Sequence, residues 1–170
     1  NVTAGSGVST TGAITDNTAA AVETANLSTT GIVALDAETG IGSAGGAADI
    51  DTTIGTLVAT NRTSGNIFVQ ETNGLIVGGT GVRTLAANGN INLDVDAGAL
   101  TVNSVVTAHG SGTITLNADA GAASFAAAVS STTVGVVLWE TVSVSDINGW
   151  LHIWIDPVLN PDKASGARGI

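Results

Sequence analysis

Gly65-Asn66-Ile67-Phe68-Val69 recurs along the chain as Gly89-Asn90-Ile91-Asn92-Leu93, then as Gly112-Thr113-Ile114-Thr115-Leu116, then as Gly135-Val136-Val137-Leu138-Trp139. The starts lie 24, 23 and 23 residues apart. Apolar and polar residues alternate inside each unit, with Ile114 and Leu116 set against Thr113, Thr115 and Asn117, which is the pattern of a strand that buries one face. The likeness runs beyond this opening strand. Leu100 and Val102 follow Gly89 at the spacing at which Ala123 and Phe125 follow Gly112, and Val105 and Val106 match Ala128 and Val129 in the same way. Three apolar pairs per period, separated by glycine-rich or polar corners, predict a coil of three short strands. The period is too short for a propeller blade and lacks the Leu and Asn consensus of a leucine-rich repeat. The expected fold is all-β, a parallel β-helix (β-solenoid) with coils of about 23 residues. The strands beginning near Ile67, Ile91, Ile114 and Val137 should stack in parallel in one column.

Upstream, Gly31-Ile32-Val33-Ala34-Leu35 precedes Gly65 by 34 residues, and Gly12-Ala13-Ile14 precedes Gly31 by 19. The longer gap holds Gly40 to Gly46, read as a loop inserted on one coil, because a corner can lengthen without disturbing stacked strands. At about 4.8 Å per coil, six coils give a rod roughly 30 Å long. After about Thr141 the texture changes. In Trp150-Leu151-His152-Ile153-Trp154-Ile155-Asp156 the two tryptophans share a face with His152, and Leu151, Ile153 and Ile155 share the other. The division is therefore a solenoid over residues 1–140 and a distinct C-terminal β segment over 141–170, either a cap on the last coil or the start of a further module. An open solenoid end exposes strand edges that need covering.

Composition agrees with thin, repetitive layers. The 170 residues are 44% hydrophobic, enough for one continuous core, yet they include two Phe and no Tyr, Met or Cys. Apolar volume comes from Ala, Val, Ile and Leu, and 23 Gly with abundant Thr, Ser, Asn and Asp disfavour helix. Four Lys and Arg against fourteen Asp and Glu give a charge of -10, which repels phosphate backbones, so nucleic acid is not an expected partner. Without Cys there are no disulfides or thiolate metal sites. No apolar run approaches the ~20 residues that span a bilayer, so membrane insertion is not expected. The start at Asn1 has neither Met nor a signal pattern, and is read as the product of processing or excision.

The run Thr63-Ser64-Gly65-Asn66-Ile67-Phe68-Val69, with its echoes at Gly89 and at Gly112 to Ala118, resembles the repeats of large bacterial exoproteins of the filamentous-haemagglutinin-like type over about residues 57–134. That resemblance implies a right-handed β-helix, secretion, and a role in adhesion or surface structure. Val142 to Asp156 is similar to the start of small β-sandwich modules of the GEVED type, although Pro157-Val158-Leu159-Asn160-Pro161-Asp162-Lys163 departs from their acidic, glycine-rich loop.

Candidate sites are few. His109, in Ala108-His109-Gly110-Ser111-Gly112, reads as a solvated corner, and no Gly-x-Ser-x-Gly elbow accompanies it. His152 has no second His or Cys to help it hold metal. Polysaccharide lyases and glycosidases on β-helices use basic residues or close carboxylates in an aromatic groove, whereas the coils here offer only Arg62 and Arg83, and no Tyr or Trp before 139. An enzyme is not expected. Asp96 and Asp119 stand at equivalent repeat positions, ~5 Å apart on adjacent coils, and with Asp94 they form a weak calcium candidate. No other cofactor is indicated. Gln70, Asp94, Asn117 and Glu140 form a second expected outward stack. The sequons at Asn1, Asn26 and Asn61 are read as chance occurrences.

The functional expectation is an extracellular or cell-surface structural and adhesive segment, a stalk or filament-forming subunit. Its partners would be copies of itself or the rest of a larger parent protein. The alternative is a module that binds glycan or protein through Trp139, Trp150 and Trp154, residues that bury large rigid area at small entropic cost.

Overall fold

The computed structural model describes residues 1–4, 11–16, 24–45, 48–132 and the backbone of 136–140. All regular elements among them are strands, and every strand pair is parallel. β1 (Val2–Ala4) pairs with β2 (Leu27–Ala37), which pairs with β3 (Ile50–Asn61). The next coil is made by β4 (Ile67–Glu71) and β5 (Leu75–Thr84). Three short strands then form each period: β6 (Ile91–Val95), β7 (Leu100–Val102) and β8 (Val106–Ala108), followed by β9 (Ile114–Ala118), β10 (Ala123–Phe125) and β11 (Val129–Ser131). β12 (Val136–Glu140) opens a further coil on β9. The fold is a β-solenoid of about four turns.

Three columns of aliphatic side chains make the core, one per face. On the first face Ile14, Ile41, Ile67, Ile91 and Ile114 are in register, and the backbone of Val136 is level with Ile114. The second face stacks Val33, Leu57, Val77 and Val102, and the third stacks Leu35, Ala59, Val82 and Val106. From Leu35 to Leu116 these side chains are almost wholly enclosed, and each Val, Leu or Ile so buried contributes about 1.5–3 kcal/mol. In the lower coils β2 and β3 turn through the corners as continuous strands, whereas from β6 onward bends and glycines break each coil into three.

The repeat glycines have a steric reason. A Cβ at Gly65 would overlap the carbonyl oxygen of Thr39, one at Gly89 that of Gly65, and one at Gly112 that of Gly89, each inside the 3.0 Å limit of real contacts. At this corner successive coils approach backbone to backbone. The polar position that follows closes the corner: Asn66 Oδ1 accepts from the Asn90 N–H at 2.9 Å, and Asn90 Oδ1 accepts from the Thr113 N–H at 2.9 Å.

Two alignments made from sequence shift. Gly31 to Leu35 do not stack with Gly65 to Val69: Val33 and Leu35 pair with Leu57 and Ala59 on the second and third faces, and Ile41 is the true first-face equivalent of Ile67. A short alternating motif looks the same on any face, so only the pairing assigns it. The inserted loop is found between Ile41 and Ile50, within the first-face segment of that coil. The strand at Val137 stacks in parallel as expected, but Val136 and not Val137 is level with Ile114.

Candidate functional site

The outward side of the first face carries Asp51, Gln70, Asp94 and Asn117 in one register column, carboxylate and amide in alternation. Asn117 Nδ2 donates to Asp94 Oδ1 at 2.9 Å and to Asp119 Oδ1 at 2.6 Å. Gln70 Nε2 donates to both oxygens of Asp96, at 3.1 and 3.2 Å. Amides therefore sit between acids, where their N–H groups offset part of the like-charge repulsion. The expected continuation to Glu140 is corrected by the register, which pairs Trp139 with Asn117 and Glu140 with Ala118. The shorter last period moves every residue one place along the ladder.

Asp94, Asp96 and Asp119 converge as expected, each offering a carboxylate oxygen within 4.8 Å of the others. Burial is the main reason that Asp94 holds its proton above the ordinary carboxylate range; the Asn117 amide opposes this, and Asp119, Asp96 and Asp49 reinforce it. Asp49, the last residue of the inserted loop, is raised by burial in the same way, with Asp16 and Asp96 adding to it. An acid whose folded-state pKa is raised lends its stability below the unfolded pKa and loses it as pH rises through the folded value. Asp94→Asn should therefore leave stability at pH 4 nearly unchanged, raise it at pH 7, and flatten the decline between them. Urea midpoints at the two pH values measure this, and an Asp94→Asn protein that is less stable at pH 7 contradicts it.

Three monodentate oxygens, one of them on the exposed Asp119, are a sparse set for calcium, which takes six to eight. A calorimetric calcium titration at near-physiological salt is expected to give at most millimolar affinity, lost in Asp96→Asn/Asp119→Asn. Sub-micromolar binding would mark a metal-dependent module instead.

Other candidate residues fall as follows. His109 is exposed at a turn, where its N–H donates to Thr84 Oγ1 at 3.0 Å. His152, Trp150, Trp154 and the C-terminal segment 141–170 lie outside the described residues, and of Trp139 only the backbone register is described. Asn61 is enclosed, with Nδ2 donating to Ser64 O at 2.8 Å, so its sequon is not presented to solvent.

Sequence reasoning passed over Glu71. This carboxylate is fully buried in the core, stacked in one column between Thr52 and Val95. It accepts from Thr52 Oγ1 at 2.7 Å, from the Ile54 N–H at 3.0 and 3.2 Å, and from the Asn73 N–H at 3.1 Å. The signal was present as an acid at the repeat position that Val95 and Ala118 occupy in later coils.

Comparison with family models, with curated proteins and with solved structures returned no match.

Proposed function

We propose that this chain is an extracellular structural or adhesive β-solenoid segment, a stalk or filament-forming unit of a cell-surface assembly, and not an enzyme. The observation that carries the reading is the parallel ladder from β1 to β12, whose terminal strands each pair on one side only among the described residues. Such edges present rows of backbone donors and acceptors along the rod axis, and a second rod supplies the matching row. Head-to-tail contact of this kind does not close on itself and extends as a filament. The aliphatic core gives stiffness by repetition, since each coil is held by its neighbours.

Sedimentation of the 170-residue chain over a concentration series tests the reading. Species growing in length with concentration are expected, and a strictly monomeric protein at high concentration rejects filament formation.

A further inference from the structure

An asparagine precedes a glycine at two places among the described residues, Asn73-Gly74 and Asn88-Gly89, and the fold treats the two pairs differently. The pair has a chemistry of its own. Glycine carries no Cβ to crowd its backbone nitrogen, and that nitrogen lies next to the side-chain amide of the preceding residue, so an attack between them is intramolecular. At Asn88 the amide is tied down. Its Oδ1 accepts from the Ser111 N–H at 3.0 Å and occupies the space that a side chain on Gly110 would need, while Gly89 is buried against the Gly65 carbonyl and Thr84.

Asn73 is the opposite case. Thr72, Asn73 and Gly74 are all exposed at the corner between β4 and β5. Neither the Asn73 side-chain amide nor the Gly74 N–H makes a hydrogen bond among the described residues. What is held is the main chain on either side, with the Asn73 N–H donating to Glu71 Oε1 at 3.1 Å and the Leu75 N–H to Ala99 O at 2.9 Å. Both reacting groups are thus free, next to each other and open to water.

We propose that Asn73-Gly74 is a site of spontaneous covalent modification, at which Asn73 loses its amide and becomes an aspartyl or isoaspartyl residue, while the fold protects Asn88-Gly89. The Gly74 nitrogen gives up its proton and attacks Cγ of Asn73. The new N–Cγ bond closes a five-membered imide as the Cγ–Nδ2 bond breaks, and Nδ2 leaves as ammonia carrying a proton. Water then opens the imide at either carbonyl. One water is consumed and one ammonia released, with no change of oxidation state. Opening at the backbone carbonyl leaves the isoaspartyl link, which adds one carbon to the main chain between the anchored Asn73 N–H and the anchored Leu75 N–H. It also leaves a new carboxylate two residues from the buried Glu71. The corner that leads into the second-face column is therefore the place where this chain ages, whatever the rod is used for.

Peptide mass spectrometry of the full chain, incubated in warm and mildly alkaline buffer, tests the site. Amide loss at Asn73 should run at least ~tenfold faster than at Asn88 in the folded protein, and the ratio should fall to about twofold or less in concentrated urea, where both pairs are equally free. A methyltransferase that labels isoaspartyl residues should mark the Asn73 peptide and not the Asn88 peptide, and Asn73→Gln should abolish that label. The aged isoaspartyl form should unfold at lower urea than Asn73→Asp, which adds the charge without lengthening the chain. Equal rates at Asn73 and Asn88 in the folded protein, or a ratio unchanged by urea, overturn the inference, since the fold would then not choose the site. An aged form as stable as Asn73→Asp overturns the role of the corner.

Discussion

Gly89→Ala is expected to destabilise the chain by about 3 kcal/mol or more, an effect large enough to unfold a domain of ordinary stability. The added methyl would overlap the Gly65 carbonyl oxygen and crowd the Thr84 side chain at 2.9 and 3.1 Å. Gly89 does not have a positive φ, so the penalty is steric and not torsional. The Gly65 oxygen belongs to backbone in the coil below and cannot rotate aside. Relief requires the two coils to separate, which lengthens ladder bonds such as Ile67 N to Asn90 O, now 2.9 Å. Because Gly65, Gly89 and Gly112 repeat the same approach, the strain would pass along the stack. Gly31→Ala is the control. Its Cβ would meet only Thr29 Oγ1 at 3.5 Å, and stability should stay within about 0.5 kcal/mol. Urea denaturation followed by circular dichroism compares the two, and equal midpoints would show that the corner is slack.

Glu71→Leu should cost about 3–5 kcal/mol, although it places a larger aliphatic surface in an aliphatic core. The carboxylate is the acceptor for the Ile54 and Asn73 N–H groups, which belong to successive coils and sit where the chain leaves the first face. Without it both donors are orphaned at about 1–3 kcal/mol each, while the Thr52 hydroxyl keeps the Gln70 carbonyl at 3.0 Å. Glu71→Gln retains one oxygen and should lose about half as much. If leucine were accepted with a loss below about 1 kcal/mol, Glu71 would be a tolerated passenger and the corner would be held by the strand ladder alone. The result also bears on repetition: later coils carry Val95 and Ala118 at this level and hold the same corner without an acid.

Several site residues were visible before any coordinates. The spacing of Asp96 and Asp119 placed two carboxylates on adjacent coils, because residues at equal repeat positions are stacked one rise apart wherever a solenoid is regular. Arg83 was visible only as a residue type. That it forms no ion pair among the described residues while Arg62 does depends on Asp36 lying within reach of one guanidinium and not the other, a matter of which coils are neighbours.

By itself the sequence determined the all-strand, parallel, stacked-coil fold and the first two apolar pairs of the Gly89 coil; of the third pair only Val106 faces inward, beside Ala108, while Val105 is exposed, as is Phe125 one coil on. A period-2 alternation repeated every 23 or 24 residues leaves few other ways to bury one face of every strand. It also determined the inserted loop and the glycine corner, since composition marks both. Tertiary structure decided the phase. It set Gly31 to Leu35 on the second and third faces, moved Val136 into the column of Ile114, and turned Glu71 into the interior. The physical reason is that strand patterns specify inside against outside but not which face or which neighbour. Those follow from the length of each corner and from the bonds that close it, which exist only once one coil lies on another.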